Sequence, residues 1–407
     1  MPDAVTITAT DDHRPLKVLV HIVFFLSGIS TVLIGQVLPI LAREFDLNDL
    51  EAGYFFPAQF AGTLTGTVLT NWFGRRRRFD QATAAGALLM AAGVLLMNWP
   101  SFAVCLVGFA LNGVGIGLTL PAINMLVLEL NPTRSAAALS ILNFCWGAGA
   151  IVCKPFVDYS GRGSIGVPTV ILAAAMVLIA AALIMLPRAG RQSDSRPHDD
   201  ARGQEALGDS TPIWSTPLAW ALALFNFLHV GFESGMGGWL TTYTARVEGE
   251  NVTSLLSPTF LFFLFFVIGR GVAPLFFRYV GENAMLLASL GVILLGMIVT
   301  LSADSLGVLA AGASIAGFGT SSIFPTNLSR FGRTFGAAAM ARRATPFFIC
   351  GTIGAATVNW LIGYLSDRMS DLRSGMFVLL AGIVILIVLQ STLMLRGKKT
   401  AAAGETT

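Results

Sequence analysis

Along the chain, apolar stretches of about 20 residues alternate with short polar breaks. They fall at residues 17–42, 52–72, 80–98, 102–129, 136–159, 165–187, 217–245, 256–278, 283–302, 305–328, 340–365 and 374–395. A run of about 20 apolar residues is what a helix needs to cross a hydrocarbon core of roughly 30 Å. The pattern therefore predicts an all-α membrane protein with twelve transmembrane helices. Met1 to Arg14 is polar, and the apolar run after it is too long for a signal-peptide core, so the first helix is expected to stay in the mature chain. Between Arg188 and Thr216 the pattern turns polar, and RAGRQSDSRPHDDARGQEALGDSTP reads as a flexible linker. The expected organisation is a six-helix bundle over 1–187, a linker over 188–216, and a second six-helix bundle with a short tail over 217–407.

Composition agrees: 54% of residues are hydrophobic and 12% charged, against roughly 25% charged in soluble domains. Orientation follows from the loops. With the N-terminus in the cytoplasm, nineteen of the 26 Lys and Arg residues lie on the cytoplasmic side, and Arg43, Arg162, Arg246, Arg368 and Arg373 lie outside. This asymmetry predicts cytoplasmic termini and a multi-pass protein of a bacterial-type inner membrane. The net charge of +3 reflects the same bias and gives no reason to expect nucleic acid as a partner. Cys105, Cys145, Cys153 and Cys350 fall inside predicted spans, with neither metal-site nor disulfide-framework spacing, and read as packing residues.

The two halves repeat at an offset of 203 to 204 residues. Gly28 and Gly35 match Gly231 and Gly238, while Gly66 and Arg75 match Gly269 and Arg278. Gly113, Gly115 and Pro121 match Gly317, Gly319 and Pro325, and Phe144 and Gly147 match Phe348 and Gly351. Such a constant offset predicts two pseudo-symmetric bundles. Small residues let helix backbones approach closely in a membrane, and the prolines serve either static packing or bending.

Two parallel repeats of six predicted helices joined by a polar linker resemble the major facilitator superfamily of secondary transporters over nearly the whole chain. The basic turn in TVLTNWFGRRRR is similar to that family's G-x-x-x-D-R-x-G-R-R; Gly74, Arg75 and Arg76 fit it, while Asn71 and Trp72 replace its acid and first arginine. NFCWGAGAIVCKP, GFESGMGGWLTTY and GRGVAPLFFRYVG resemble the branch of fucose permeases and related sugar symporters. The coupling acids of that branch, in its first and fourth helices, align with Gly35 and Leu120, which cannot take a proton. If the family mechanism persists, the proton site has moved.

Glu233 is the candidate for that site. It lies near the middle of the seventh helix, its repeat mate is Ser30, and an acid at membrane depth is costly unless it faces a cavity or a partner. Its readings are a proton-coupling group or a permanent ion pair with Arg270. His229, one turn before it, either relays the proton or is a hydrogen-bonded core histidine. Lys154 either pairs with Asp158 four residues on or joins Arg270 in binding an anionic substrate. Gln36, Asn143, Trp146, Asn226, Trp239, Asn359 and Trp360 supply amides and rings suited to a sugar, although Trp239 and Trp360 also suit a membrane-interface belt. Gating contacts are expected from Arg75, Arg76, Asn124, Glu129 and Asn327.

These features predict a secondary transporter working by alternating access, and no enzyme. There is no nucleotide-binding G-x-x-x-x-G-K-[ST] loop and no H-E-x-x-H cluster, and no cofactor is expected. The expected partners are the lipid bilayer, a small polar solute and a coupling proton, or sodium in its place; the chain is expected to be a monomer. The solute is a monosaccharide, a sugar acid or another organic anion. The alternative is proton-driven export of amphipathic compounds from a largely apolar cavity.

Overall fold

The computed structural model describes residues 14–74, 76, 78–131, 135–186, 213–248, 254–276, 279–335 and 344–404, and every regular element among them is helical. The first half contains α1 (Arg14–Glu44), α2 (Phe55–Gly74), α3 (Phe79–Leu96), α4 (Phe102–Leu130), α5 (Ser135–Gly161) and α6 (Gly166–Met185). The second contains α7 (Pro217–Glu248), α8 (Pro258–Phe276), α9 (Glu282–Leu301), α10 (Leu306–Thr320 and Ile323–Phe335), α11 (Thr345–Met369) and α12 (Leu372–Gly404). The predicted twelve helices are present, and the first and last described residues lie at one end, called proximal below. Most of the linker lies outside the described residues.

Two departures from the apolar pattern have local causes. A short helix, Asp49–Gly53, precedes α2: Asn48 Oδ1 accepts from the Glu51 N–H at 2.8 Å and the Asn48 N–H donates to Glu51 Oε2 at 3.0 Å. This reciprocal cap nucleates a separate turn. α10 is interrupted at Ser321 and Ser322, where the Pro325 ring would crowd the carbonyl four residues back. Its repeat mate Pro121 stays inside a continuous α4.

Among the described residues nine helices are long and apolar enough to cross a membrane. The others are α2, α7 and α8, which carry the buried polar and charged groups described below. Packing repeats between the halves. α4 packs on α2 and α3 as α10 packs on α8 and α9; α1 packs on α5 as α7 does on α11; α3 packs on α6 as α9 does on α12. Repeat mates hold equivalent seams: a Cβ on Gly113 would sit 2.9 Å from the carbonyl carbon of Gln59, and one on Gly317 would sit 3.0 Å from that of Phe262. Only glycine lets these backbones meet.

The bundles join along α1–α7, α2–α11 and α5–α8. A continuous apolar core runs through both halves, with Leu33, Val37, Phe56, Trp239 and Leu240 among its members. Two smaller buried clusters each stay within one half. Ala82, Leu118 and Ala122 belong to the first half, and Ile213, Leu222, Phe331 and Phe347 to the second. Gln36 with Thr241, Phe56 with Trp239 and Asp49 with Arg246 join the two halves at the distal end and seal it.

Candidate functional site

α7 carries His229 and Glu233 one turn apart on one face, with Nε2 and Oε2 3.6 Å apart. The imidazole is 1% exposed, whereas the carboxylate is 20% exposed. From α8, Arg270 stacks over its own neighbour Phe266, the guanidinium carbon 4.1 Å from the ring centroid. The charge of Arg270 acts on both Glu233 and His229, yet among the described residues no ion pair joins Glu233 to Arg270. The permanent ion pair considered for Glu233 is therefore absent from this conformation.

Arg270 Nε and both ring nitrogens of His229 are buried without a hydrogen-bond partner, as are the side-chain oxygens of Asn226 and Asn359. Leaving a buried polar group unmade costs about 1–3 kcal/mol each. Further orphans lie on α1, α4, α5 and α10, at Gln36, Thr119, Trp146 and Asn327; those on α7, α8 and α11 describe a place that a polar or charged guest can complete. Beside it, Asn359 Nδ2 donates to Ser234 Oγ at 2.8 Å, next in sequence to Glu233.

The equivalent place in the first half is closed. Ser30, the repeat mate of Glu233, donates to Asn112 Oδ1 at 2.6 Å; Asn112 Nδ2 reaches Gln59 Oε1 at 3.4 Å, and Gln59 Nε2 donates to the Thr31 carbonyl at 3.2 Å. All three side chains are buried. A satisfied network of this kind rigidifies its helices, and its Ser30, Asn112 and Gln59 side chains include no titratable group.

The remaining candidates disperse. Lys154 Nζ donates to both oxygens of Asp158 at 2.5 Å, an i, i+4 pair on α5. Asn226 donates to the Phe347 carbonyl and Asn327 to that of Leu222, bracing α7 against α11 and α10. Gln36 accepts from Thr241 at 2.9 Å across the α1–α7 seam. Trp239 is fully buried, donates to the Asn359 carbonyl at 3.1 Å and stacks on Phe56 with centroids 5.8 Å apart. The interface-belt role considered for Trp239 is thereby corrected, because a ring sealed between bundles meets no headgroup. Trp360 stacks on Tyr364.

Trp146 is half-buried with an unpartnered Nε1, and Asn143 is exposed, donating to the carbonyl of Leu139 on its own helix. Of the gating candidates, Arg75 lies outside the described residues. Arg76 is exposed, 3.9 Å over the Trp72 ring. Asn124 donates to the Leu120 carbonyl within α4, and Glu129 is exposed near its end. Residues missed by sequence reasoning sit in the distal seam: Phe56, Thr241 and Asp49. Of these Asp49 alone had a signal, the Asn48-to-Glu51 capping box.

Comparison with known proteins agrees with this geometry. The profile of the Major Facilitator Superfamily matches residues 20–357. The 4-hydroxybenzoate transporter PcaK of Pseudomonas putida is 27% identical over 268 residues, covering 60% of this chain and 58% of that protein. Among solved structures, a bacterial homolog of the human lysosomal transporter Spinster, inward-facing and occupied, superposes with a TM-score of 0.75 at 14% identity, over 94% of this chain and 96% of that one. The fucose transporter FucP in its outward conformation superposes at 0.60 despite 18% identity, over 93% and 98% of the two chains. Twelve helices in paired repeats and a profile spanning most of the sequence lead to one assignment: the chain belongs to the Major Facilitator Superfamily, whose members are membrane transporters rather than enzymes.

Proposed function

We propose that this protein is a proton-coupled secondary transporter for a small organic anion, with Arg270 receiving the carboxylate and Glu233 carrying the proton. The observation that carries this reading is Arg270 itself: a guanidinium in the bundle interior, on Phe266, with Nε unpartnered and no ion pair to Glu233. A guanidinium so placed binds a carboxylate through paired N–H donors. The Pseudomonas putida relative, a 4-hydroxybenzoate transporter, takes a solute of this class.

Coupling follows from charge balance. With solute absent, the Arg270 charge acts on Glu233 and balances its carboxylate. When an anionic solute occupies Arg270, that support is withdrawn, and a carboxylate in a low-dielectric interior takes up a proton. Solute and proton then travel together as a neutral pair, which suits passage across an apolar barrier. Lys154, engaged by Asp158, stands apart from this exchange.

The positive-inside asymmetry supports cytoplasmic termini; on that reading the sealed distal end faces outward and the conformation is the inward-open one of alternating access. The bundle boundaries 1–187 and 217–407 belong to the same proposal. The experiment is uptake of 4-hydroxybenzoate into proteoliposomes under an imposed pH gradient, a sodium gradient or neither. Accumulation driven by the pH gradient supports the reading, whereas accumulation driven only by sodium assigns Glu233 to a different ion.

A further inference from the structure

At the distal end one carboxylate gathers partners from both halves. Asp49, at the start of the short helix between α1 and α2, accepts a bidentate pair from Arg246 at the end of α7, with Nη1 at 2.8 Å and Nη2 on the second oxygen. It also accepts the hydroxyl of Ser366 on α11. The Asp49 side chain is 13% exposed and Arg246 46%. The acid is thus largely withdrawn from water while its cation borders solvent.

The local structure presents this carboxylate and holds it still. Asn48 and Glu51 cap the helix reciprocally, which fixes the Asp49 backbone. Gly363 of α11 packs against that backbone so closely that a Cβ would lie 3.3 Å from the Asp49 carbonyl carbon. At the 203-residue offset Asp49 matches the uncharged Val252 in sequence. The charged lock closes the seam where the short helix meets α7 and α11. On the α5–α8 side, Gly147 instead meets the methyl groups of Val267.

We propose that Asp49 is the gating residue of the distal end, with Arg246 and Ser366 as its keepers: the bundles stay joined distally while the three are engaged, and opening requires their release. This holds whatever the solute and whichever way the protein faces. A bidentate arginine–carboxylate contact is directional enough to act as a catch, yet so close to water it is weak enough to break during a transport cycle.

The test is spin-label distance measurement on the full chain in nanodiscs. Cysteines replace the exposed Ser164 of the first half and Ser302 of the second, with the four native cysteines changed to alanine. Asp49→Asn should raise the population with widely separated distal ends by roughly threefold to fivefold. Ser366→Ala, which leaves the helix cap in place, should move it the same way by less. The charge exchange Asp49→Arg with Arg246→Asp should bring the population back toward that of the parent. An unchanged distribution in both Asp49→Asn and Ser366→Ala overturns the proposal, as does a charge exchange as open as Asp49→Asn.

Discussion

Gly35 and Gly238, repeat mates 203 residues apart, meet each other across the seam between the bundles: a Cβ on Gly35 would lie 2.8 Å from the Gly238 Cα and closer still to the Gly237 carbonyl oxygen. The pseudo-twofold relation between the halves thus brings equivalent glycines face to face where the distal end is sealed. Overpacking such a contact costs about 1–3 kcal/mol. Gly35→Ala is expected to shift the Ser164–Ser302 distance distribution toward distal opening while leaving the separate bundles intact; loss of helical circular dichroism instead would make the seam a folding contact only.

Glu233→Gln removes the titrating proton and keeps the size of the side chain. The variant should lose accumulation driven by a pH gradient while solute exchange at equal pH persists within about threefold, the pattern expected of a group that couples rather than binds. Retained accumulation would move the proton site elsewhere.

Arg270→Lys preserves charge and discards the fork of donors. Affinity for a carboxylate solute should fall about tenfold or more in Arg270→Lys and further in Arg270→Ala, with binding of an uncharged analogue unaffected. Equal losses for both solutes, read by thermal shift, would make Arg270 a packing residue.

Lys154→Ala breaks an i, i+4 pair with Asp158, a contact worth about 0.3–0.5 kcal/mol on a helix. A small loss of stability and unchanged selectivity between acids and neutral solutes are expected. A selectivity loss matching that of Arg270→Ala would place Lys154 in the site beside it.

Asn112→Ala strips the centre from the Ser30–Asn112–Gln59 network and leaves buried partners unsatisfied. The expected cost is about 2–4 kcal/mol, visible as a lower unfolding temperature with coupling intact in the molecules that remain folded.

The fold was legible because the signals that encode it are long: twelve apolar stretches and a recurring offset of glycines and prolines survive any local ambiguity. Pro325 could be located as a helix interruption, but whether it would break α10 while Pro121 left α4 continuous depends on packing that no local pattern records. Glu233 and Arg270 stood out because charge at membrane depth is rare, whereas their separation is a tertiary fact. Lys154 stood out for the same reason, and its partner was visible at i+4. Trp239 could not be placed by type, since tryptophan suits a headgroup belt, a sugar face and a sealed seam alike. Asp49 was hidden by its position: in a loop between spans an acid is unremarkable until Arg246 and Ser366, far along the chain, arrive beside it.

The first measurement to make is thermal stabilisation of the purified protein by 4-hydroxybenzoate and glucuronate, each set against its uncharged counterpart, 4-hydroxybenzyl alcohol and glucose, in the parent chain and in Arg270→Ala. Stabilisation by an acid but not by its neutral partner, abolished in Arg270→Ala, is the predicted result. Stabilisation by glucose with no response to either acid would contradict it and make this protein a carrier of neutral sugars.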